Sequence, residues 1–556
     1  MKLVECVPNF SEGRDPEKIK LITKEIETTS SVTLLDVDPG ESTNRTVVTF
    51  IGTPEGVKEA AFKAIKKAAE VIDMSKHSGA HSRIGATDVC PFVPVSGVSM
   101  EDCVRVAEEV AERVANELDI PVYLYEEAAR TKERKNLATI RTGEYEGLVE
   151  KFKDPAWAPD FGQPVFNSKS GATVIGAREF LIAYNINLNT RDRSLAHHIA
   201  LNIRERGRAK RDTEGTIIRD ESGKSIKTPG KFKEVKAVGW YIEDYGIAQI
   251  SINFTNYKIS PPHLVFDEVI KEAEQLGLRV TGSELVGLIP KDALLMAGRH
   301  YLLKQKKSPG VPEEELIKTA VLSLGLNDVS PFDPEKKIIE NQFREIENSL
   351  LELNLREFAN ELSIDSPAPG GGSVAALCGA LSASLSSIVA NLTVGKKEYE
   401  DVQEKVKDLA VRAQTLKDTM LRDIDLDTQA FNSVMDAFRM KRKTEEQKEL
   451  RDRAIEEANK EASRIPLRVL ENSVQALEMA KELAVHGNKN SISDAGVAAL
   501  AAGACAEGAF YNVKINLPNI EDMKFKKETA KQAADFLDKT RLLETEVKKI
   551  IQKELQ

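Results

Sequence analysis

Leu326-Asn327-Asp328-Val329-Ser330-Pro331-Phe332-Asp333-Pro334-Glu335-Lys336-Lys337 divides the chain in two. Asn, Asp, Ser and Pro crowd this stretch, and such residues punctuate periodic structure. Before it, short apolar runs take turns with amphipathic stretches; after it, almost everything repeats at 3.6 residues. The predicted fold class is α/β, as two α+β subdomains, followed by an all-α helical bundle.

Working back from the boundary, residues 180–188, 235–241 and 248–254 read as strands and 194–206 and 262–276 as helices. Residues 207–233 are polar and rich in both charges, and read as a mobile insertion or long hairpin. Further upstream, strands at 2–7, 32–38, 46–52, 88–93 and 122–125 alternate with helices at 16–28, 54–72 and 99–118. Working forward, helices are expected at 336–358, 373–392, 399–438, 446–486, 494–516 and 521–555, with a break at 439–443 and a kink at Pro466. The domains follow as 1–178, 179–327, a linker at 328–345, and 346–556. The 373–392 helix carries Ala375, Ala376, Gly379, Ala380, Ser382 and Ala383. Small side chains let helix axes approach closely, which fits a buried central helix or a seam between subunits, and so a homo-oligomer.

The chain has 556 residues, 41% hydrophobic and 30% charged, ordinary for a soluble protein. Its net charge of −10 argues against a generic nucleic-acid binder, which needs a basic field. Five scattered cysteines, Cys6, Cys90, Cys103, Cys378 and Cys505, form no CxxC pair and point to a reducing, cytoplasmic setting. Glu5, Glu12 and Arg14 interrupt any leader-like apolar run at the start. Residues 374–392 mix Leu, Ile and Val with Ser, Ala and Gly, which reads as a buried helix and no membrane span.

Two motifs carry chemistry. In His77-Ser78-Gly79-Ala80-His81-Ser82-Arg83-Ile84-Gly85 a histidine beside a strand edge can take a proton near neutrality. The same residues fit two other readings: a metal set completed by Asp88, disfavoured by the glycine between the histidines and the lack of HExxH, and a purely structural loop. Asn9, Asp38 and Arg45 follow strands, where α/β proteins place ligand contacts or simply solvated turns. From Gln163 through Gly171, Ala172 and Gly176 a short extended run is bracketed by glycines; it is no GxGxxG fingerprint, so a nicotinamide cofactor is disfavoured.

In the second motif, Pro369-Gly370-Gly371-Gly372-Ser373 opens a helix. Its first-turn N–H groups suit an anion and Ser373 can cap or donate a hydroxyl, although an ordinary helix cap reads the same. No Lys follows the glycines, so this is no nucleotide-binding Walker loop. Farther on, Asp423 and Asp427 share a helix face while Asp425 lies about 200° away. Asp427 precedes Ala430 and Phe431 at the edge of an apolar stripe, where burial would raise its pKa for proton transfer; the alternative is a solvated acidic face.

The motifs converge on one family. Leu3-Val4-Glu5-Cys6-Val7-Pro8-Asn9-Phe10-Ser11-Glu12-Gly13, Ser42-Thr43-Asn44-Arg45-Thr46, Gly85-Ala86-Thr87-Asp88-Val89-Cys90-Pro91-Phe92 and Ala183-Tyr184-Asn185-Ile186-Asn187-Leu188 resemble glutamate formimidoyltransferases. Ala368-Pro369-Gly370-Gly371-Gly372-Ser373, Asp425-Leu426-Asp427 with Ala430-Phe431, and Tyr511-Asn512-Val513-Lys514-Ile515-Asn516-Leu517 resemble formimidoyltetrahydrofolate cyclodeaminases. In this order they look like the bifunctional formimidoyltransferase-cyclodeaminases over essentially the full length.

That resemblance implies a reaction pair of histidine degradation and one-carbon metabolism. The formimidoyl group of N-formimidoyl-L-glutamate passes to N5 of tetrahydrofolate, and the product then closes to 5,10-methenyltetrahydrofolate with loss of ammonia. It implies His81 as the transferase base, Asp427 as the cyclodeaminase carboxylate, a folate strip from Gln163 to Ala172, and Gly370, Gly371, Gly372 and Ser373 as a loop for folate or its glutamyl tail. Arg83 is then placed to neutralise a substrate carboxylate. The implied co-substrate is tetrahydrofolate in a polyglutamylated form, with no metal and no nucleotide. The implied assembly is a homo-oligomer through both halves, as a ring-shaped octamer, with no nucleic-acid or membrane partner. The chain departs from the family pattern in Ser82-Arg83-Ile84-Gly85, where relatives carry Pro-Arg-Met-Gly, in a longer 207–233 segment and in a short linker. Two alternatives keep the transferase but make the helical half a methenyltetrahydrofolate cyclohydrolase or a non-catalytic folate-holding module.

Overall fold

A computed structural model describes residues 2–41, 43–79, 82–220, 223–343, 349–365 and 368–556. They group into two compact units, Met1–Ala297 with Ala320–Glu345, and Gly298–Thr319 with Ile346–Gln556.

The first unit begins β1 (Leu3–Cys6), β2 (Asn9–Phe10), α1 (Pro16–Glu27), β3 (Val32–Gly40), β4 (Arg45–Gly52), α2 (Pro54–Val71), β5 (Thr87–Ser96), α3 (Met100–Leu118) and β6 (Val122–Glu126). Single helical turns α4 (Leu137–Ile140) and α5 (Leu148–Lys151) precede β7 (Thr173–Ala177). The helix starts are written in the sequence: the Asp15 and Thr53 side chains accept first-turn N–H groups with Pro16 and Pro54 just inside, and Ser99 forms a capping box with Asp102. The strands build one seven-stranded mixed sheet. β3 pairs with β4, β4 with β1 and β2, and these with β5, all antiparallel; β5, β7 and β6 follow in parallel.

One face of this sheet packs on α1–α3 around Val4, Cys6, Phe50, Ile65 and Val110. By alternation Glu5 points to the other face. There it lines a cavity of about 480 Å³ with Asp36, Arg178, Lys336 and Lys337. Burial pushes the Glu5 carboxyl up to about 7, with the Arg178 guanidinium pulling it back down. The protonated form is therefore favoured by folding. Its stabilisation is complete below the unfolded value of 4.5 and is lost as pH rises through about 7. Glu5→Gln is expected to stabilise this unit at about pH 8 by on the order of 3 kcal/mol and to change little near pH 4; melting curves at the two pH values check it.

The second part of this unit comprises β8 (Ile182–Leu188), α6 (Arg193–Ile203), β9 (Arg208–Ala209), β10 (Lys227–Thr228), β11 (Val235–Ile242), β12 (Ile247–Phe254), α7 (Pro262–Gln275) and β13 (Val280–Val286), with the start of α8 (Lys291–Lys304) and the end of α9 (Glu313–Leu324), inside which the unit boundaries fall. Its sheet is antiparallel in the order β11-β12-β8-β13. The 207–233 segment is a narrow ladder: β9 pairs with β10, and bridges join Arg211 to Ile217 and Arg219 to Ser225.

The stretch leading into the helical unit differs from expectation. In place of one helix over 336–358 there is a turn α10 (Pro334–Lys337), 3₁₀ turns at Ile339–Gln342 and Leu350–Glu352, and a short α11 (Leu355–Leu362). Ser349 caps the second turn and Asn354 forms a capping box with Glu357, so local side-chain bonds restart the chain where periodicity alone reads as continuous. Then come α12 (Gly371–Thr393), α13 (Gln403–Arg439), α14 (Glu445–His486), α15 (Ile492–Asn516) and α16 (Met523–Glu554). α12 is long and apolar enough by composition to cross a membrane, yet most of it is buried in the bundle, its small residues packed with Leu409, Met420 and Cys505. α14 continues as one helix through Pro466, where a kink was expected. Proline cannot bond the carbonyl four residues back; the Asn516 side-chain amide donates to that Ala462 carbonyl at 2.7 Å instead.

Candidate functional sites

In the first unit His81, with Ala80 and Ser42, lies outside the described residues. The chain on either side of it is pinned. Asn44, in the left-handed region at φ 49°, accepts from the Gly13 N–H and donates to the Ser78 carbonyl, both at 3.0 Å. A Cβ on Gly79 would fall 2.2 Å from the Thr43 carbonyl, so only glycine fits there. Beyond the gap, the Ser11 hydroxyl donates to the Gly85 carbonyl at 2.7 Å and the Ile84 N–H donates to Asp88 at 3.0 Å.

His77 is fully engaged. Its Nδ1 accepts from Arg83 Nε at 3.2 Å and its Nε2 faces the Asn44 carbonyl at 2.9 Å, which selects the neutral tautomer protonated on Nε2. It is a tether within the loop. Arg83 is buried and bonds Glu144 at 2.8 Å and Glu146 at 2.7 Å, so the substrate-carboxylate role expected for it meets a guanidinium already neutralised twice. Among the described residues no group of three His, Cys, Asp or Glu side chains is placed to hold a metal ion.

A different arginine pair faces this loop. Asp88 is fully buried and bonds Arg141, and Arg45 is half-buried nearby. Burial pulls the Arg45 guanidinium below its ordinary value; Asp88 and Asp38 oppose this, and Arg141 adds to it. Arg45, Arg141, Asp38 and Asp88 therefore share one electrostatic neighbourhood. Asn9 pairs in register with Val47 and Val89 beside it, although its amide donates to the Val7 carbonyl at 2.9 Å. Arg141 had no role in the sequence reading, and Asp88 entered it only as the third member of a disfavoured metal set.

The 163–172 strip runs along the same loop. Ala172 N–H donates to the Ile84 carbonyl and Ala86 N–H to the Ser170 carbonyl. Gly171, at φ 69°, has no room for a Cβ, which would meet the Ile84 carbonyl at 2.2 Å. Gly171 and Ala172 are thus backbone neighbours of the histidine loop, with the Ala172 methyl in the core, while Gln163 is exposed at the strip's other end.

In the helical unit the glycine-rich entry and the aspartates meet. Ser373 is inside the first turn of α12, with Gly370 as the N-cap, so its capping role is overturned. Its buried hydroxyl lies 3.1 Å from the Ile424 carbonyl and 3.2 Å from Asp427 Oδ2. Asp427 also accepts the Ser373 backbone N–H. The anion at this helix N-terminus is therefore the chain's own carboxylate. The three glycines are not needed for a tight turn: Gly370 has φ −139° and the other two are helical. Gly372 instead admits Asp427, whose Oδ1 would lie 2.2 Å from a Cβ there, and Gly371 faces the Asn512 amide.

Burial pushes the Asp427 carboxyl up, the Ser373 hydroxyl and N–H pull it down, and Asp423 pushes it up again. Asp425 points elsewhere, accepting the Ser349 hydroxyl at 2.5 Å and the Leu350 N–H at 2.8 Å. Sequence spacing had separated it from the other two; Arg468, which bonds Asp423, and Asn512 were not foreseen.

Three family models match in order along the chain: the formiminotransferase domain, N-terminal subdomain, over residues 3–178; the formiminotransferase domain over 183–344; and formiminotransferase-cyclodeaminase over 354–535. Formimidoyltransferase-cyclodeaminase of Mus musculus is 44% identical over 543 residues, 97% of this chain and 97% of its own. A glutamate formimidoyltransferase of Streptococcus pyogenes is 41% identical over 302 residues, 54% of this chain and 93% of its own. A methenyltetrahydrofolate cyclohydrolase of Methylorubrum extorquens is 37% identical over 183 residues, 33% of this chain and 88% of its own. With one relative matching end to end and both halves recognised in order, the chain belongs to the formimidoyltransferase-cyclodeaminase family.

Proposed function

We propose that the chain carries out two successive folate reactions: transfer of formimidoyl from N-formimidoyl-L-glutamate to N5 of tetrahydrofolate, releasing glutamate, and closure of 5-formimidoyltetrahydrofolate to 5,10-methenyltetrahydrofolate, releasing ammonia. The observation that carries this reading is the match to a bifunctional relative over 97% of both chains. Transfer is assigned to residues 1–178 and 179–327, and cyclisation to 346–556.

In transfer, N5 attacks the formimidoyl carbon and His81 takes the N5 proton. Arg45 and Arg141 supply positive charge for substrate carboxylate, with Asp38, Asn9 and the Gln163–Ala172 strip flanking the folate. In cyclisation, N10 attacks the amidine carbon, Asp427 accepts the N10 proton and then delivers it to the departing nitrogen. A carboxyl raised by burial and hydrogen-bonded on one side by Ser373 suits both steps. Gly370, Gly371 and Asn512 line the approach.

Gly372→Ala tests the close approach. Its Cβ would push the Asp427 side chain aside rather than strain backbone, so cyclisation is expected to fall about a hundredfold, the scale of a 1 Å misplacement, with a melting temperature near that of the wild type.

The cyclohydrolase relative at 37% identity favours one second reading, in which the helical half hydrolyses the methenyl product. A time course with formimidoylglutamate and tetrahydrofolate, following ammonia and methenyl absorbance, separates the two. Stoichiometric ammonia supports cyclodeamination, and transfer without ammonia overturns it. A lag before methenyl appears would reveal free intermediate.

The finer properties are part of this proposal. Polyglutamylated tetrahydrofolate is the expected form of the co-substrate. A homo-oligomer, assembled as a ring of eight, is supported by exposed apolar side chains on α12 (Leu381, Ile388, Leu392) and α15 (Val497, Leu500, Ile515). A cytoplasmic setting is supported by five cysteines that are all free.

A further inference from the structure

We propose that Asp423 and Arg468 are positioning residues for Asp427: the buried Asp423 carboxylate, tied to Arg468, stands one helical turn before Asp427 and holds that side chain ready to take a proton from the substrate. The inference rests on the cyclodeaminase reading above and adds two residues to it.

Asp423 and Asp427 are four residues apart on α13 and share a face. Asp423 is 1% exposed. Arg468 on α14 bonds its Oδ1, but among the described residues its Oδ2 meets no donor and Arg468 Nε no acceptor. The pair lacks the bidentate fork that arginine and carboxylate often form. Burial pushes the Asp423 carboxyl up and Arg468 pulls it back down, so the guanidinium is what opposes its neutralisation. The charge that Asp423 carries acts on Asp427, its neighbour one turn on.

The other groups around Asp427 do not replace it. α12 carries no charged side chain, only the Cys378 thiol, and offers Ser373. α14 brings Arg464 one turn from Arg468, bound to Glu457 and Glu461. The Leu350–Glu352 turn brings Glu352 and is anchored by Asp425, and on α13 itself Arg422 is exposed. The Lys397–Val402 turn, with its Lys397, Glu398, Tyr399, Glu400 and Asp401, meets α13 at its opposite end. Burial is the larger cause that raises Asp427, and Asp423 is the neighbouring charge that adds to it.

The test is the pH profile of kcat for ammonia release from supplied 5-formimidoyltetrahydrofolate, whose acid limb reports the ionisation of Asp427 in the complex. Asp423→Asn is expected to move that limb to lower pH by roughly one unit. In Arg468→Gln the more deeply buried Asp423 loses its counter-charge and takes the proton itself, so the limb moves the same way. Arg468→Lys keeps the charge and leaves the limb in place. A merely structural pair would lower kcat without displacing the limb, and that result, or a shift to higher pH, overturns the proposal. Should Asp423→Asn fail to fold, Arg468→Gln decides alone, since its side chain is 43% exposed. If the wild-type protein releases no ammonia, the cyclodeaminase reading has failed and the proposal falls with it; ammonia release with unmoved limbs sinks the proposal only.

Discussion

Asp427→Asn is expected to slow ammonia release from 5-formimidoyltetrahydrofolate by about a thousandfold, within the range for loss of a general acid–base group, while formimidoyl transfer continues at the wild-type rate. The amide keeps the shape and can still accept from Ser373, but it cannot carry the proton between N10 and the departing nitrogen. The same variant should be more stable near neutrality. Burial raises the Asp427 carboxyl, so folding favours its protonated form, and ionisation above its folded value is a cost that asparagine removes. A melting temperature higher by about 1–3 °C at neutral pH, shrinking toward the pH of an ordinary carboxyl, is the expected sign. An inactive variant that melts lower would mean that Asp427 supports the fold; an active one would remove Asp427 from the mechanism, and cyclisation at the solvent background in variant and wild type alike would leave the helical half as a holding module.

His81→Ala is expected to reduce formimidoyl transfer by about 10²- to 10⁴-fold and to leave cyclisation of supplied intermediate untouched. His77 has both ring nitrogens engaged and offers no substitute base. Added imidazole should restore part of the lost rate, because the deleted group is a proton acceptor and Asn44, Ser11 and Arg83 hold the loop on either side of it. Transfer near the wild-type rate would remove His81 from the mechanism.

The sheet and the long helices were legible because their causes are local. Pro16 after Asp15, Pro54 after Thr53 and Ser99 before Asp102 announce helix starts, and apolar runs announce β5 and β8. The stretch after Lys337 misled, since the apolar period continues across Ser349 and Asn354 while their side chains restart the backbone. That the helix continues past Pro466 was not legible, because the amide that takes up the freed carbonyl, Asn516, is 50 positions away in sequence. The site was legible where residue type suffices, as at Asp427. It was hidden where meaning depends on a neighbour: the glycine at 372 answers to a carboxylate on another helix, and Arg83 is engaged by glutamates about sixty residues on.

The carboxylate seated on the first turn of α12 has a consequence for ligand selection. A free helix amino end attracts phosphate and sulfate; here that attraction is already satisfied internally, and a second acid stands close behind. Inorganic oxyanions gain nothing by entering, whereas an amidinium reactant and a methenyl cation both find a counter-ion waiting. On the proposed cyclisation, the amino end of α12 would sort ligands by sign of charge before any shape is read.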